Sequence, residues 1–178
     1  MGIIVPPKPV LLLVAMSSRY DTALEWARAK IANEFGPVGA TSPTFDFRET
    51  DYYATTMGSE LKKQFVVCAL PIDPGRLAAI KCVTNDWEYE YRDSAEYPEQ
   101  RPLNLDPGYL TQAKLVLAST KDHAHRIYLS DGIYAEVTLS YRAKSWHAFD
   151  WTYPDYRRSD FQQFFTACRE LLRASPAN

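Results

Sequence analysis

The stretch STKDHAHRIYLSDGIYAEV, residues 119–137, concentrates polar side chains beside apolar ones around a turn. Lys121 and Arg126 are cations suited to an anion. Asp122 and Glu136 offer acid–base or metal-ligand oxygens, and His125 can move protons near neutral pH. Asp131-Gly132 suits a hairpin, and two registers are open. A two-residue loop mixes charged and apolar side chains on both faces. A three-residue loop, Ser130-Asp131-Gly132, pairs Leu129 with Ile133, Ile127 with Ala135 and His125 with Val137. The other face then sets Arg126 against Glu136 and Tyr128 against Tyr134. The second register sorts the faces and is adopted here, since a slip of one residue inverts them. Arg126–Glu136 then reads either as a modest surface pair or as a ligand-facing one, with His125 on the opposite face. His123 and His125, spaced H-x-H, would point to one side and could share a metal, but no third ligand stands at a fixed spacing.

A second group lies upstream. In NLDPGYLTQAK, Pro107-Gly108 fits the middle of a type II turn after Asp106, and Tyr109 follows. Lys114 and Lys121 would share one face of a helix if it reached that far, with exposed N–H groups to help hold an anion. Asp51, Tyr52 and Tyr53 join an acid to two rings that could line a pocket or simply cap a turn. In WTYPDYRR, core packing is the preferred reading of the aromatic residues.

These side chains need a scaffold, and 178 residues suffice for one domain with a real core. The composition, 46% hydrophobic and 24% charged, is that of a globular chain. A net charge of -2 argues against a duplex-DNA binder, which needs a basic surplus. The three cysteines stand far apart in apolar segments without C-x-x-C, which favours buried thiols and a reducing, cytoplasmic compartment. The apolar run Val10 to Met16 is too short for a membrane span and suits a central strand.

From there the pattern reads as strand and helix in turn. Ser18 is placed to cap a helix whose stripe is Tyr20, Leu24, Ala27 and Ile31, ended by Gly36-Pro37. Strands follow at Thr44 to Phe47 and Gln64 to Leu70. Asp73 and Pro74 open a second helix with Leu77, Ile80, Thr84, Trp87 and Tyr91 on one face. Leu103 to Leu105 completes β-α-β-β-α-β, an α+β, ferredoxin-like (split βαβ) core over residues 10–106. Residues 107–178 form a C-terminal extension packed on it: a short helix from Leu110 to Ser119, a β-hairpin or meander including SWHAF, and a terminal helix from Ser159. That last helix has an apolar stripe through Phe161, Phe164, Phe165, Cys168, Leu171 and Leu172.

No phosphate loop, nucleophile elbow, H-E-x-x-H or G-x-G-x-x-G occurs, so no cofactor is named by motif. The segments FDFRETDYYATTMGSELKKQF, NLDPGYLTQAKLVLASTKDHAHRIYLSDGIYAEVTLSY and WTYPDYRRSDF resemble an uncharacterised prokaryotic family, domain of unknown function 4416. The resemblance runs from first strand to last helix. Some of its members carry the label GTP-binding protein. It implies that Thr120, Lys121, Asp122, His125 and Arg126 match a family pattern, as do Asp51, Tyr52 and Tyr53 and Asp106, Pro107, Gly108 and Tyr109. His123 does not. Two functions are expected in turn. One is a cleft for a small anionic or phosphorylated ligand, a nucleotide among the candidates, with catalysis by Asp106, Asp122, His125 or Glu136. The other is a non-catalytic module that meets protein or RNA through a tyrosine-rich sheet surface.

Overall fold

The computed structural model describes residues 2–49, 54–94 and 96–174. Its first half holds β1 (Leu11–Ser18), α1 (Asp21–Phe35), β2 (Val38–Thr41), β3 (Phe45–Asp46), a four-residue α2 (Ala54–Met57), β4 (Lys62–Cys68) and α3 (Leu77–Asp93). Then come β5 (Asn104–Leu110), β6 (Lys114–Ser119), β7 (Ile127–Ser130), β8 (Ile133–Arg142), β9 (Ser145–Ala148) and α4 (Ser159–Ala174). The protein is thus mixed α and β, built on a large sheet in the order β2-β4-β1-β5-β6-β8-β7. β3 lies beside β4 and β9 beside β8. Every pairing is antiparallel.

All eight residues of β1 are buried, which is why its sequence runs apolar without alternation. Strand geometry sends alternate side chains to opposite faces. Leu12, Val14 and Met16 join Leu24, Ile31, Ile80 and Trp87 from α1 and α3. Leu11, Leu13 and Ala15 join Phe161, Phe165 and Cys168 from α4. Phe65 anchors the second layer, edge-on to Phe161 at 4.8 Å and to Phe165 at 5.1 Å. The expected apolar faces of the helices are mostly buried, but Tyr20, which precedes α1, and Phe164 and Leu172 are only partly so, and Leu171 is exposed.

Asp73 caps the turn leading into α3, its carboxylate accepting from the Gly75 N–H at 2.8 Å with Pro74 beside it. Ser18 differs from expectation. It ends β1, donates to the Pro102 carbonyl at 2.6 Å and accepts from the Tyr20 N–H. The strand expected at Thr44 to Phe47 is the short β3, and a further strand, β2, precedes it.

Two corrections shape the site. Leu110 to Ser119 is no helix: KLVLAS is the strand β6, its apolar residues covered between β5 and β8. Pro107-Gly108 is no turn: both lie inside β5, opposite Val14 and Leu13. Gly108 is required by close approach, because a Cβ there would stand 2.2 Å from the Val116 carbonyl oxygen. The hairpin keeps the adopted register at Ile127↔Ala135 and Tyr128↔Tyr134 by another route. The turn has two residues, Asp131 and Gly132 at φ 53 and 74, and a register shift between Tyr128 and Ser130 restores the alternation. Ile127 and Leu129, expected to pack, are exposed.

Candidate functional site

β5 pairs with β6 only through Gly108–Leu110. Ahead of that point the strands part, and Pro107, which has no N–H to donate, stands where the ladder stops. The seam is the floor of a cleft of about 420 Å³. Asn104 and Asp106 face it from β5, Leu117 to Ser119 from β6, and Lys81 and Asn85, one helical turn apart, from α3. Lys63, Glu136, Arg126, Lys121, His123 and the segment Tyr153 to Tyr156 complete the wall with Phe47, Glu49, Arg101 and Thr120.

Three ion pairs are built into this wall. Arg126 Nε donates to Glu136 Oε2 at 2.8 Å, and both side chains are almost wholly buried. The same guanidinium reaches Ser119 Oγ, the Lys121 carbonyl and, at 2.6 Å, the Tyr153 hydroxyl. Lys63, buried between the rings of Phe47 and Tyr156, donates to Asp155. Lys81 donates to the Leu105 carbonyl at 2.7 Å and to Asp106 at 3.2 Å. Desolvated charges cost free energy even when paired, so three at one end of a sheet mark the place where fold stability alone is a poor explanation.

The electrostatics separate the carboxylates. Burial works against the charge on Asp106. Lys81, the Asn104 amide at 2.7 Å and the more distant Lys63 and Arg101 outweigh it and hold its carboxyl below the ordinary range. Asp106 is therefore an acceptor and charge partner, not a proton donor near neutral pH. Glu88, just behind, goes the other way. Burial raises it, against the pull of Lys81 and Arg101 and the Leu105 N–H. The Tyr153 phenol is also raised, first by burial and then by Glu136 and Asp106, against Arg126. The buried thiols lie away from the cleft, Cys68 pushed up to about 11 and Cys168 to about 12 by burial.

Of the residues singled out from sequence, Asp106, Lys121, Arg126 and Glu136 meet in the cleft. His125 joins them through Glu136, whose Oε2 lies 3.1 Å from its Nε2. The expected opposite-face placement of His125 and Arg126 fails because β7 begins only at Ile127, so the turn before it brings both to one carboxylate. The surface reading of the Arg126–Glu136 pair is likewise replaced by a buried one. Lys114 is at the far end of β6, opposite Ser140, so it shares no face with Lys121 and does not line the cleft. Asp122 is exposed outside it. Tyr109 packs on the α3 side of the sheet. Asp51, Tyr52 and Tyr53 lie outside the described residues.

Lys63, Lys81, Asn104 and Asp155 were missed, although two left a signal. Lys81 falls one turn after Leu77 on the buried face of α3, and Lys63 interrupts a buried strand. A charge at a core position asks for a buried partner. His123 and His125 stack face to face at 5.7 Å, and Trp151 extends the stack from His125 at 5.3 Å. Among the described residues no three His, Cys, Asp or Glu side chains converge to hold a metal ion. No described helix is long and apolar enough to cross a membrane.

Fold and site together define an α+β protein with a charge-lined cleft where its antiparallel sheet opens. The chain belongs to the family described as domain of unknown function (DUF4416), whose model matches residues 8–172. No curated protein and no solved structure matches it.

Proposed function

We propose that the cleft binds a small anionic or phosphorylated ligand, a nucleotide among the candidates. The observation that carries this reading is the convergence of Lys63, Lys81, Arg101, Lys121 and Arg126 on one cavity of ligand size. The paired carboxylates hold the cations in place and would meet the ligand's hydroxyl or amine donors. Catalysis, if the ligand is turned over, falls to Asp106 and Glu136 as charged oxygens, with His125 moving a proton through Glu136. The scaffold we read as a split βαβ core, supported by the antiparallel order β2-β4-β1-β5 with α1 and α3 as its connecting helices. The cysteine pattern favours a reducing, cytoplasmic compartment.

The tyrosine surface is the weaker reading. Tyr128 and Tyr134 do meet edge-on at 5.4 Å, but Arg126, expected beside them, is buried and turned into the cleft.

Thermal melting at low salt against phosphate, sugar phosphates and nucleotides tests the proposal. A ligand at about 100 times its Kd adds about 2.7 kcal/mol. At about 2–4 °C per kcal/mol this is a rise of several degrees. Lys121→Ala, a change at an exposed side chain of the cleft wall, should reduce the rise. A flat response from every anion would overturn the reading.

A further inference from the structure

The N-terminal arm carries an apolar segment that its own molecule leaves uncovered. Residues 2–9 are exposed throughout, and Ile3, Ile4 and Val5 are 89%, 98% and 71% exposed. β-Branched residues in a row favour a strand, and these have no strand beside them among the described residues. Pro6, Pro7 and Pro9 follow, which stiffen the arm and keep it off β1. Val10 is then fixed by two backbone hydrogen bonds to Ile72.

The same chain exposes an edge of matching character. β7 ends the sheet, and no described strand pairs with its outer side. Ile127 is 73% exposed, Tyr128 57% and Leu129 40%. An edge like this is ordinarily blunted by lysine, proline or a cover, and IYLS has no charged residue and no proline. The opposite edge, β2, is closed by such devices: Pro37 and Pro43 flank it, and its register shifts between Val38 and Ala40. β7 is therefore an edge left open, and unlike β9 it exposes large apolar side chains.

The arm cannot serve its own β7. From β1 the sheet runs through β5, β6 and β8 before β7. A strand added outside β7 would stand five inter-strand spacings from β1, about 24 Å at about 4.8 Å each. Val5 is tethered at Val10, and five extended residues span at most about 18 Å. The arm and the edge can meet only between molecules.

We propose that Ile3–Val5 of one copy adds as a strand to the outer edge of β7 in a second copy, and that reciprocal exchange closes a dimer. Main-chain bonds would supply the pairing, while Ile127 and Leu129 would receive the arm's side chains. Neither partner strand has a charged residue, so no like charges are set opposite one another. Two arms exchanged about one axis occupy both β7 edges and use both arms, which stops growth at two copies.

Mass measurement by light scattering across a dilution series, on the full chain, tests this independently of any ligand. A dimer that dissociates on dilution is expected. The double variant Ile3→Asp/Ile4→Asp and, separately, Ile127→Asp should both be monomers. All three positions are exposed, so the melting of the dilute variants should match that of the dilute parent chain. A parent chain that is monomeric at every concentration overturns the proposal. So does a dimer that survives both sets of substitutions, and so does one lost in only one of them, since arm and edge must then have different partners.

Discussion

Arg126 concentrates the problem that a buried cation poses. Its guanidinium spends four hydrogen bonds on Glu136, Ser119, the Lys121 carbonyl and Tyr153, so it joins β6 and β8 to the segment before α4. Removing it would take the guanidinium from Glu136, which is only 3% exposed, and leave only the His125 ring and the Thr138 hydroxyl to partner it. Arg126→Ala should therefore cost about 3–5 kcal/mol of stability in denaturant unfolding. Adding Glu136→Gln to that variant should recover part of the loss, because the buried group left without its arginine is then neutral. A loss below about 1 kcal/mol would instead be the behaviour of an exposed pair and would contradict the burial. The partnership itself was legible in the sequence, because alternation about Asp131-Gly132 sets residue 126 against residue 136. Its burial was not, because that depends on Tyr153, which belongs to a distant segment with no local pattern pointing back to β8.

At the scale of elements, the site exists because β5 and β6 part company. The sequence NLDPGYL has two residues that ordinarily end strands, and a turn is the natural local reading. The tertiary context reverses it: the strand continues through Pro107 because β1 pairs along its whole length, and Gly108 is kept because β6 crosses too closely for any side chain. The same competition misled the reading of KLVLAS, whose short apolar run fits helix or strand until its neighbours are known. Helices with long stripes were legible, since periodicity over four turns leaves little room for another answer. Gly108→Ala tests the close approach directly. Its Cβ would press on backbone, which cannot rotate away, so β6 must shift and the cleft floor with it. A loss of about 1–3 kcal/mol or more is expected, with ligand-induced stabilisation reduced as well. An alanine variant as stable as the parent would mean that the two strands are free to separate.

Across the whole molecule, the buried charges gather where α3, the sheet and the segment before α4 come together, and this convergence was the least legible feature. Lys63, Lys81, Asp106 and Asp155 come from four different elements, and only the folded topology brings them to one cavity. The response of this region to acid follows from two opposed shifts, at Asp106 and at Glu88. Asp106 is held below its unfolded value of about 3.9, so its contribution to stability is complete above that pH and is lost as the pH falls through the lower folded value. Glu88 is raised by burial, so its charged form burdens the folded state above its folded value, and that burden is relieved as it protonates. Stability measured by urea unfolding should thus gain slightly from Glu88 on mild acidification before Asp106 and the other depressed carboxylates, Asp93, Glu99 and Asp160, take it away. Asp106→Asn should flatten the steep part of the curve below about pH 4, whereas Glu88→Gln should remove the earlier gain and leave the steep part intact. Curves for Asp106→Asn that run parallel to the parent's through that window would show that Lys81 and its neighbours do not hold the Asp106 charge, and the electrostatic account of the cleft would fail with them.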